Sequence, residues 1–151
     1  MKKFLKVSLY VLLAIFILGA MVFGYFSITG YQMYQDKIKE SSIEERVNEI
    51  RSSEDYVTID EIPVQFQNAV IAVEDHRFKS HGAVDFISIG RAIVRNISEF
   101  RLVEGGSTIT QQLAKNMLFT QETTFTRKMA EIFAAIDLEK IYSKDEILEL
   151  Y

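Results

Sequence analysis

Residues 69–85 read AVIAVEDHRFKSHGAVD, an apolar run that turns abruptly polar and charged. Both histidines of the chain lie in this stretch, and Glu74 and Asp75 stand side by side where the apolar run ends. An acid at the end of an apolar segment can lie at the wall of a pocket, where it is suited to proton transfer. The same pattern also fits a helix end with solvated charges. The local sequence leaves both interpretations open.

The flanking sequence predicts a helix on each side of this stretch. Pro63 suits a first helical turn and Asp60 could cap that helix, which would carry Phe66 inward and end at Glu74. A carboxylate at that end faces the negative end of the helix dipole, a position that suits a proton acceptor. A second helix is predicted over residues 85–100. Its apolar stripe, expected to face the core, consists of Phe86, Ile89, Ile93 and Ile97.

A second block of polar sequence, EGGSTITQQLAKN, occupies residues 104–116. The glycine pair predicts a loop, after which Ser107 or Thr108 caps a helix that runs to about Asn116. The free backbone N–H groups at such a helix start can bind an anion. The sequence fits an ordinary capped helix without a bound anion equally well. Lys115 shares a face of this helix with the two glutamines.

A fourth helix is predicted over residues 123–141, with Thr124 as its cap. Within it, Glu131 follows an arginine and a lysine at helical spacing, which fits either an active cluster or an ordinary surface ion-pair ladder. Residues 144–151, KDEILELY, open a further helix behind a Ser143 capping box. The core stripe of the helix over residues 123–141 is expected to consist of Phe125, Met129, Ile132 or Phe133, and Ile136.

A nearly continuous apolar run occupies residues 7–28, behind three lysines and no acid. Its length matches the roughly 20 residues that span a bilayer as a helix, and the lysines place the N-terminus in the cytoplasm. Since no Ala-x-Ala site follows, an uncleaved signal anchor is preferred to a cleaved signal peptide. Residues 1–6 would then be a cytoplasmic basic tail, residues 7–29 the transmembrane anchor and residues 30–55 a helical juxtamembrane stalk, with the body outside.

Composition favours a helical, membrane-anchored protein and argues against other classes. The chain of 151 residues has one proline and no cysteine, so disulfides and thiolate metal sites are excluded. The formal net charge is −4; residues 1–30 carry +3, so the rest of the chain carries −7. A body this acidic argues against a nucleic-acid partner, which would require a basic stripe.

In order and separation, the blocks at residues 74–81 (Glu-Asp-x-x-Phe-x-x-His), 104–116, 127–131 (RKMAE) and 144–151 resemble the glycosyltransferase family 51 domain. This is the peptidoglycan glycosyltransferase domain of class A penicillin-binding proteins and monofunctional transglycosylases. The resemblance implies a mainly α, lysozyme-like helical domain over residues 56–151, preceded by a single transmembrane helix. Members of this family have further helices after the position that corresponds to Tyr151. The domain is therefore expected to be incomplete at its C-terminus, and the chain to be an N-terminal portion too short for activity alone.

The resemblance implies polymerisation of lipid II into glycan strands with release of polyprenyl diphosphate, by base-assisted inverting displacement. Fixed cations and donors would hold the leaving diphosphate. The implied catalytic residues are Glu74, as the base, and Glu131. Glu131 either orients the cations or helps to hold a divalent cation such as Mg²⁺ or Mn²⁺ on the diphosphate. The implied substrate-binding residues are Asp75, Phe78, His81, Ser107, Thr108, Gln111, Gln112, Lys115, Asn116, Arg127 and Lys128.

The implied partners are lipid II, the growing glycan strand, the bacterial cytoplasmic membrane and other cell-wall synthesis proteins. Two other functions stay open at this point. A lytic muramidase of lysozyme-like fold would also use one glutamate, but it cleaves neutral glycosidic bonds and has no need of Lys115, Arg127 and Lys128. An inactive membrane-anchored remnant or interaction protein would need none of this chemistry.

Overall fold

The computed structural model describes residues 2–120 and 124–151. In these residues the secondary structure is entirely helical, without a β-strand, which confirms the mainly α fold predicted from the sequence. Two short 3₁₀ turns, Ile59–Glu61 and Phe78–Ser80, lie between α-helices. The α-helices are α1 (Lys2–Glu40), α2 (Ile43–Arg51), α3 (Val64–Glu74), α4 (Phe86–Ser98), α5 (Ile109–Leu118), α6 (Phe125–Ile141) and α7 (Lys144–Leu150).

The core lies where α5, α6 and α7 meet. Of the stripe predicted for α6, Phe133 packs against this core, but the fully buried residues of the helix are others. Ala130 and Ala134 are completely buried, whereas Phe125 is 76 % exposed and Ile136 is 37 % exposed. The prediction selected the large apolar side chains. The small ones are buried instead because α6 is packed against both α1 and α5, and small side chains let helices approach closely.

The segment predicted as a stalk, residues 30–55, is part of the folded body. The polar half of α1 packs along α6, and the buried Tyr34 donates its hydroxyl hydrogen to Asp137 Oδ2 at 2.6 Å. Ile43 and Val47 of α2 also lie in the core. The apolar residues that recur at helical spacing in this segment therefore pack against the folded body. A stalk surrounded by water would not need such an apolar face.

The apolar half of α1 is long enough to cross a membrane. In the described part of the chain it belongs to the single candidate span, Lys3–Glu40, whose most apolar stretch has a mean hydropathy of 2.5 and is not buried inside the protein. The start of α6 lies beside the end of this apolar run. The ring centroids of Phe26 in α1 and Phe125 in α6 are 5.6 Å apart. At the same level, a Cβ atom on Gly30 would lie only 2.5 Å from Met129 Cβ.

The helix α3 ends at Glu74 as predicted, but it begins differently. Pro63 itself is the N-cap, no described side chain caps the helix, and Asp60 belongs to the preceding 3₁₀ turn. Phe66 is 62 % exposed and is not part of the core. The prediction assigned Asp60 to the wrong element because the short turn before Pro63 leaves little trace in the sequence.

The apolar stripe predicted to bury α4 faces outward. Phe86, Ile93 and Ile97 are between 54 % and 79 % exposed, while Ala92 is buried. The helix is held instead at its start, where Asp85 accepts hydrogen bonds from two backbone N–H groups, and by polar contacts to the loop before α5. Helical periodicity identifies an apolar face but does not show that the fold covers it.

Candidate active site

A cleft of about 690 Å³ opens beside the C-terminal end of α3. Its walls are the end of α3, one side of α4, the loop before α5 and the first turns of α5. Among the polar side chains that line it are Glu74, Arg91, Arg95, Glu104, Ser107 and Gln112. The cleft thus combines acids, bases and amide groups, the inventory that acid–base chemistry on a charged substrate requires.

Glu74 is an exposed carboxylate at the wall of this cleft. Its Oε2 atom accepts a hydrogen bond from Nε2 of Gln112 at 2.9 Å, and no other described residue donates a hydrogen bond to it. One oxygen of Glu74 is therefore held by the protein, while the other can accept the proton of a bound hydroxyl group.

Asp75, the neighbouring acid, is buried and engaged by the protein. Its Oδ1 lies 2.7 Å from Nε2 of His81, and its Oδ2 accepts a hydrogen bond from the backbone N–H of Ile109 at 3.1 Å. The side chains of Asp75 and His81 are only 3 % and 5 % exposed, and Phe78 is completely buried. These three residues fix the end of α3 to the start of α5 and so set the position of Glu74.

The start of α5 is capped by the protein's own side chains. Thr108 Oγ1 accepts a hydrogen bond from the Gln111 backbone N–H at 3.2 Å and donates one to the Ala83 carbonyl at 3.0 Å. The buried side chain of Gln111 donates to the same carbonyl, also at 3.0 Å. Since Asp75 takes the N–H of Ile109, the arrangement favours the ordinary cap over the anion site that the sequence also allowed.

Glycine lets the loop before α5 pack closely on α4. A Cβ atom on Gly106 would lie 3.0 Å from Ile89 Cγ1 and 3.1 Å from Ile89 Cα, so a larger residue would force the loop and α4 slightly apart. Further along α5, Lys115 and Asn116 lie outside the lining of the cleft, and Asn116 is exposed at a separate depression beside Arg46.

The helix α6 contributes a buried carboxylate and two cations. Glu131 is 2 % exposed, and its Oε2 lies 3.1 Å from Lys128 Nζ. Its Oε1 lies 3.1 Å from Nε of Arg127, but the Arg127 N–H does not point at this oxygen. Glu131 Oε1 and Arg127 Nε therefore form an ion pair without a hydrogen bond to any described residue. Lys128 Nζ also donates to Ser107 Oγ at 2.6 Å. Because Ser107 lines the cleft, Lys128 carries the positive charge of α6 to its edge.

The described residues do not form the oxygen-rich site that Mg²⁺ or Mn²⁺ prefers. The two oxygens of Glu131 face two cations, which would repel a divalent cation. The ligand atoms of Asp75, His81 and Asp85 lie within 4.8 Å of one another. Asp85, however, is already paired with Arg77 at 3.0 Å. Neither set of residues supports a resident metal ion.

Arg91 and Arg95, four residues apart in the sequence, fit either a solvated face or a phosphate contact, and both line the cleft. Arg91 Nε donates to Glu104 Oε1 at 2.6 Å, and Arg95 Nη1 donates to Glu104 Oε2 at 3.1 Å. These hydrogen bonds, first from Arg91 and then from Arg95, hold the pKa of Glu104 below its ordinary value. The spacing of the arginines predicts a shared face, but their partner becomes evident only from the path of the loop.

The chain is thus an all-helical protein with an apolar N-terminal helix and a polar cleft, where an exposed glutamate lies near basic side chains. Residues 39–151 match the family described as Transglycosylase. The match covers most of the chain, which therefore belongs to the transglycosylase family.

The relatives include several penicillin-binding proteins. The chain is 43 % identical over 164 residues to penicillin-binding protein 1F of Bacillus subtilis, in a match covering 100 % of this chain and 23 % of that protein. It is 44 % identical over 126 residues to penicillin-binding protein 1A/1B of the same species, covering 83 % and 13 %. With penicillin-binding protein 1A of Aquifex aeolicus it shares 48 % identity over 96 residues, covering 64 % and 13 %. The chain spans less than a quarter of the length of these three relatives.

Proposed function

We propose that this chain carries the catalytic base and the leaving-group contacts of a peptidoglycan glycosyltransferase that polymerises lipid II into glycan strands. Membership of the transglycosylase family supports this function. The observation that carries the proposal is the geometry of Glu74, an exposed carboxylate in a cleft whose edge also holds the Ser107–Lys128 contact. A base and a cation on one cleft are what the transfer of a sugar from a diphosphate requires.

In the proposed reaction, the 4-hydroxyl of the acceptor sugar attacks the anomeric carbon of the growing strand. Glu74 takes the hydroxyl proton as the new C–O bond forms, and the bond to the diphosphate breaks on the opposite face, which inverts the configuration. The electron pair of the broken bond leaves with the polyprenyl diphosphate. Lys128 offsets the charge that develops there, and Ser107 adds a hydroxyl group beside it.

Glu131 is assigned a supporting role in this proposal. Its buried carboxylate lies against both Arg127 and Lys128, so it holds two cations that would otherwise repel each other. A carboxylate with 2 % exposure is poorly placed to reach a substrate hydroxyl, whereas it is well placed to orient the lysine. This division gives the proton transfer to Glu74 and the orientation of Lys128 to Glu131.

The membrane is the proposed location, with the N-terminus in the cytoplasm and the folded body outside. The apolar half of α1 is the proposed anchor. The contact between Phe26 and Phe125 lies one helical turn from Lys128, so the basic edge of the cleft is close to the end of the apolar run. A substrate that holds its diphosphate at the surface of a bilayer would meet Lys128 there, and anchoring raises its local concentration.

The test is glycan-strand synthesis from labelled lipid II by the complete gene product in membranes, together with the affinity for a diphosphate-mimicking inhibitor. Glu74→Gln should lower polymerisation by about 10²–10⁴-fold and leave inhibitor affinity unchanged, because it removes only the base. Lys128→Ala should lower the affinity for the inhibitor and also slow turnover. The charge of Lys128 attracts the diphosphate in both the ground state and the transition state.

Glu54→Gln is the matched control, because Glu54 is an exposed glutamate in the turn after α2, outside the cleft. Near-normal polymerisation by Glu74→Gln would refute the assignment of the base and make Glu131 the next residue to test. Shortening of preformed glycan strands without synthesis would instead identify a lytic muramidase. A wild-type protein that neither makes nor cuts strands would favour an inactive interaction protein.

A further inference from the structure

We infer that Tyr151 is a positioning residue for Glu74 and acts through the side-chain amide of Gln112, an inference that rests on the function proposed above. Three helices bring these side chains together: α3 ends at Glu74, α5 carries Gln112 in its first turns, and Tyr151 follows α7. The Tyr151 hydroxyl donates to Gln112 Oε1 at 3.1 Å. Gln112 Nε2 in turn donates to Glu74 Oε2 at 2.9 Å.

The hydrogen-bond chain selects one orientation of the amide. A glutamine side chain has a donor end and an acceptor end, which can exchange places by rotation about one bond. The Glu74 carboxylate only accepts hydrogen bonds, so the NH₂ end of Gln112 is turned toward it, and the carbonyl end is then held by the Tyr151 hydroxyl group. The opposite orientation would place two oxygen atoms against each other and push the carboxylate out of position.

The tyrosine remains a donor at the pH values at which enzymes work. Burial raises the pKa of the Tyr151 hydroxyl above its ordinary value, and the negative charge of Glu74 raises it further. The helix α7, which ends just before Tyr151, packs into the core. The helix α7 has a capping box at Ser143 and buries Ile147, whose carbonyl accepts the backbone N–H of Tyr151 at 3.1 Å.

The consequence for the reaction is a restriction on the base. With Oε2 held by Gln112, the carboxylate of Glu74 offers its other oxygen to the acceptor hydroxyl in one geometry. Without the tyrosine hydroxyl, the carbonyl end of Gln112 loses its hydrogen bond, the amide moves more freely, and the carboxylate of Glu74 is held less closely in that geometry. The loss should affect turnover and leave the diphosphate contacts, on Lys128 and Ser107, unchanged.

The kinetic test is a double-mutant cycle on the complete gene product. Tyr151→Phe should lower kcat about three- to tenfold, the effect of one hydrogen bond, without a change in KM for lipid II. Gln112→Met keeps the length of the side chain but lacks the amide, so the double variant should show the kcat of Gln112→Met alone. Independent, multiplying effects of the two substitutions would overturn the inference.

Tyr56→Phe is the matched control, because the Tyr56 hydroxyl group also donates to a carboxylate, Glu149 of α7, but lies outside the cleft. It should leave kcat unchanged. If Tyr56→Phe and Tyr151→Phe lowered kcat equally, the effect would be one of α7 stability and the inference would fail.

A spectroscopic readout separates this inference from the proposed function. In the detergent-solubilised chain labelled with ¹⁵N-glutamine, the side-chain NH₂ signals of Gln112 should move in Tyr151→Phe and in Glu74→Gln, and should stay in Tyr56→Phe. The measurement needs no turnover, so an inactive wild-type protein would refute the proposed function without affecting this result. Gln112 signals that do not respond to Tyr151→Phe in an active protein would refute the inference alone.

Discussion

Substituting alanine for Gly30 should separate α1 from α6. The added Cβ atom would lie 2.5 Å from Met129 Cβ, 2.9 Å from the Thr126 carbonyl oxygen and 3.0 Å from the Ala130 nitrogen. Two of these three atoms belong to the backbone of α6, so no change of rotamer relieves the overlap and α1 must move away from α6. Overpacking of this kind costs about 2–3 kcal/mol, against which alanine gains about 1 kcal/mol of helix propensity over glycine.

The net loss of about 1–2 kcal/mol should lower the midpoint of thermal unfolding by roughly 2–8 °C in detergent. Gly24→Ala is the matched control, because a Cβ atom there meets nothing within 4 Å, and its midpoint should stay the same or rise. Hydrogen exchange should show the added opening at the contact between α1 and α6. Equal midpoints for Gly30→Ala and the wild type would refute the claim that the two helices are in close contact.

Two further predictions concern buried carboxylates. Asp85→Asn should lower the free energy of unfolding at pH 7 by about 2 kcal/mol. Burial alone would raise the pKa of Asp85, but hydrogen bonds from Ser88, Arg77 and the backbone outweigh it and hold that pKa well below its ordinary value. This stabilisation is therefore present above the unfolded-state pKa of about 3.9 and is lost as the pH falls below it. Urea unfolding at several pH values should show that the free energy of unfolding falls less steeply toward acid pH in the variant than in the wild type. Glu131→Gln should lower both thermal stability and polymerisation because two partly buried cations lose their partner, whereas Glu74→Gln should lower polymerisation alone.

The sequence predicts the helix starts that depend on local chemistry. Thr108, Thr124 and Ser143 cap α5, α6 and α7, and each side chain accepts a hydrogen bond from a backbone N–H three residues further on. Both partners of such a bond lie within one turn, so the pattern of residue types determines the contact. The end of α3 at Glu74 is predictable for the same reason, because the apolar run stops there.

The buried faces of the helices could not be predicted in the same way. The stripe of α4 that includes Phe86 and Ile93 has a regular helical period, yet it is exposed, whereas α6 is buried through Ala130 and Ala134. A period shows which residues share a face, but the partner that covers the face comes from distant parts of the chain. The link between Tyr151 and Glu74 is of this long-range kind, since it joins two helices that no local pattern connects.

Glu74 is exposed and Asp75 is buried because α3 ends between these two adjacent acids. Glu74 is the last helical residue, and Asp75 has left the helix with φ −158° and ψ 72°. The change of backbone direction sends one carboxylate to the open cleft and the next into the core, although the sequence presents them as equivalents. Because the buried acid then takes the N–H of Ile109, the start of α5 is already neutralised. Under the proposed mechanism, the positive charge for the leaving diphosphate must therefore come from side chains: Lys128 of α6 reaches the edge of the cleft through Ser107, while Arg91 and Arg95 in the cleft wall are already paired with Glu104.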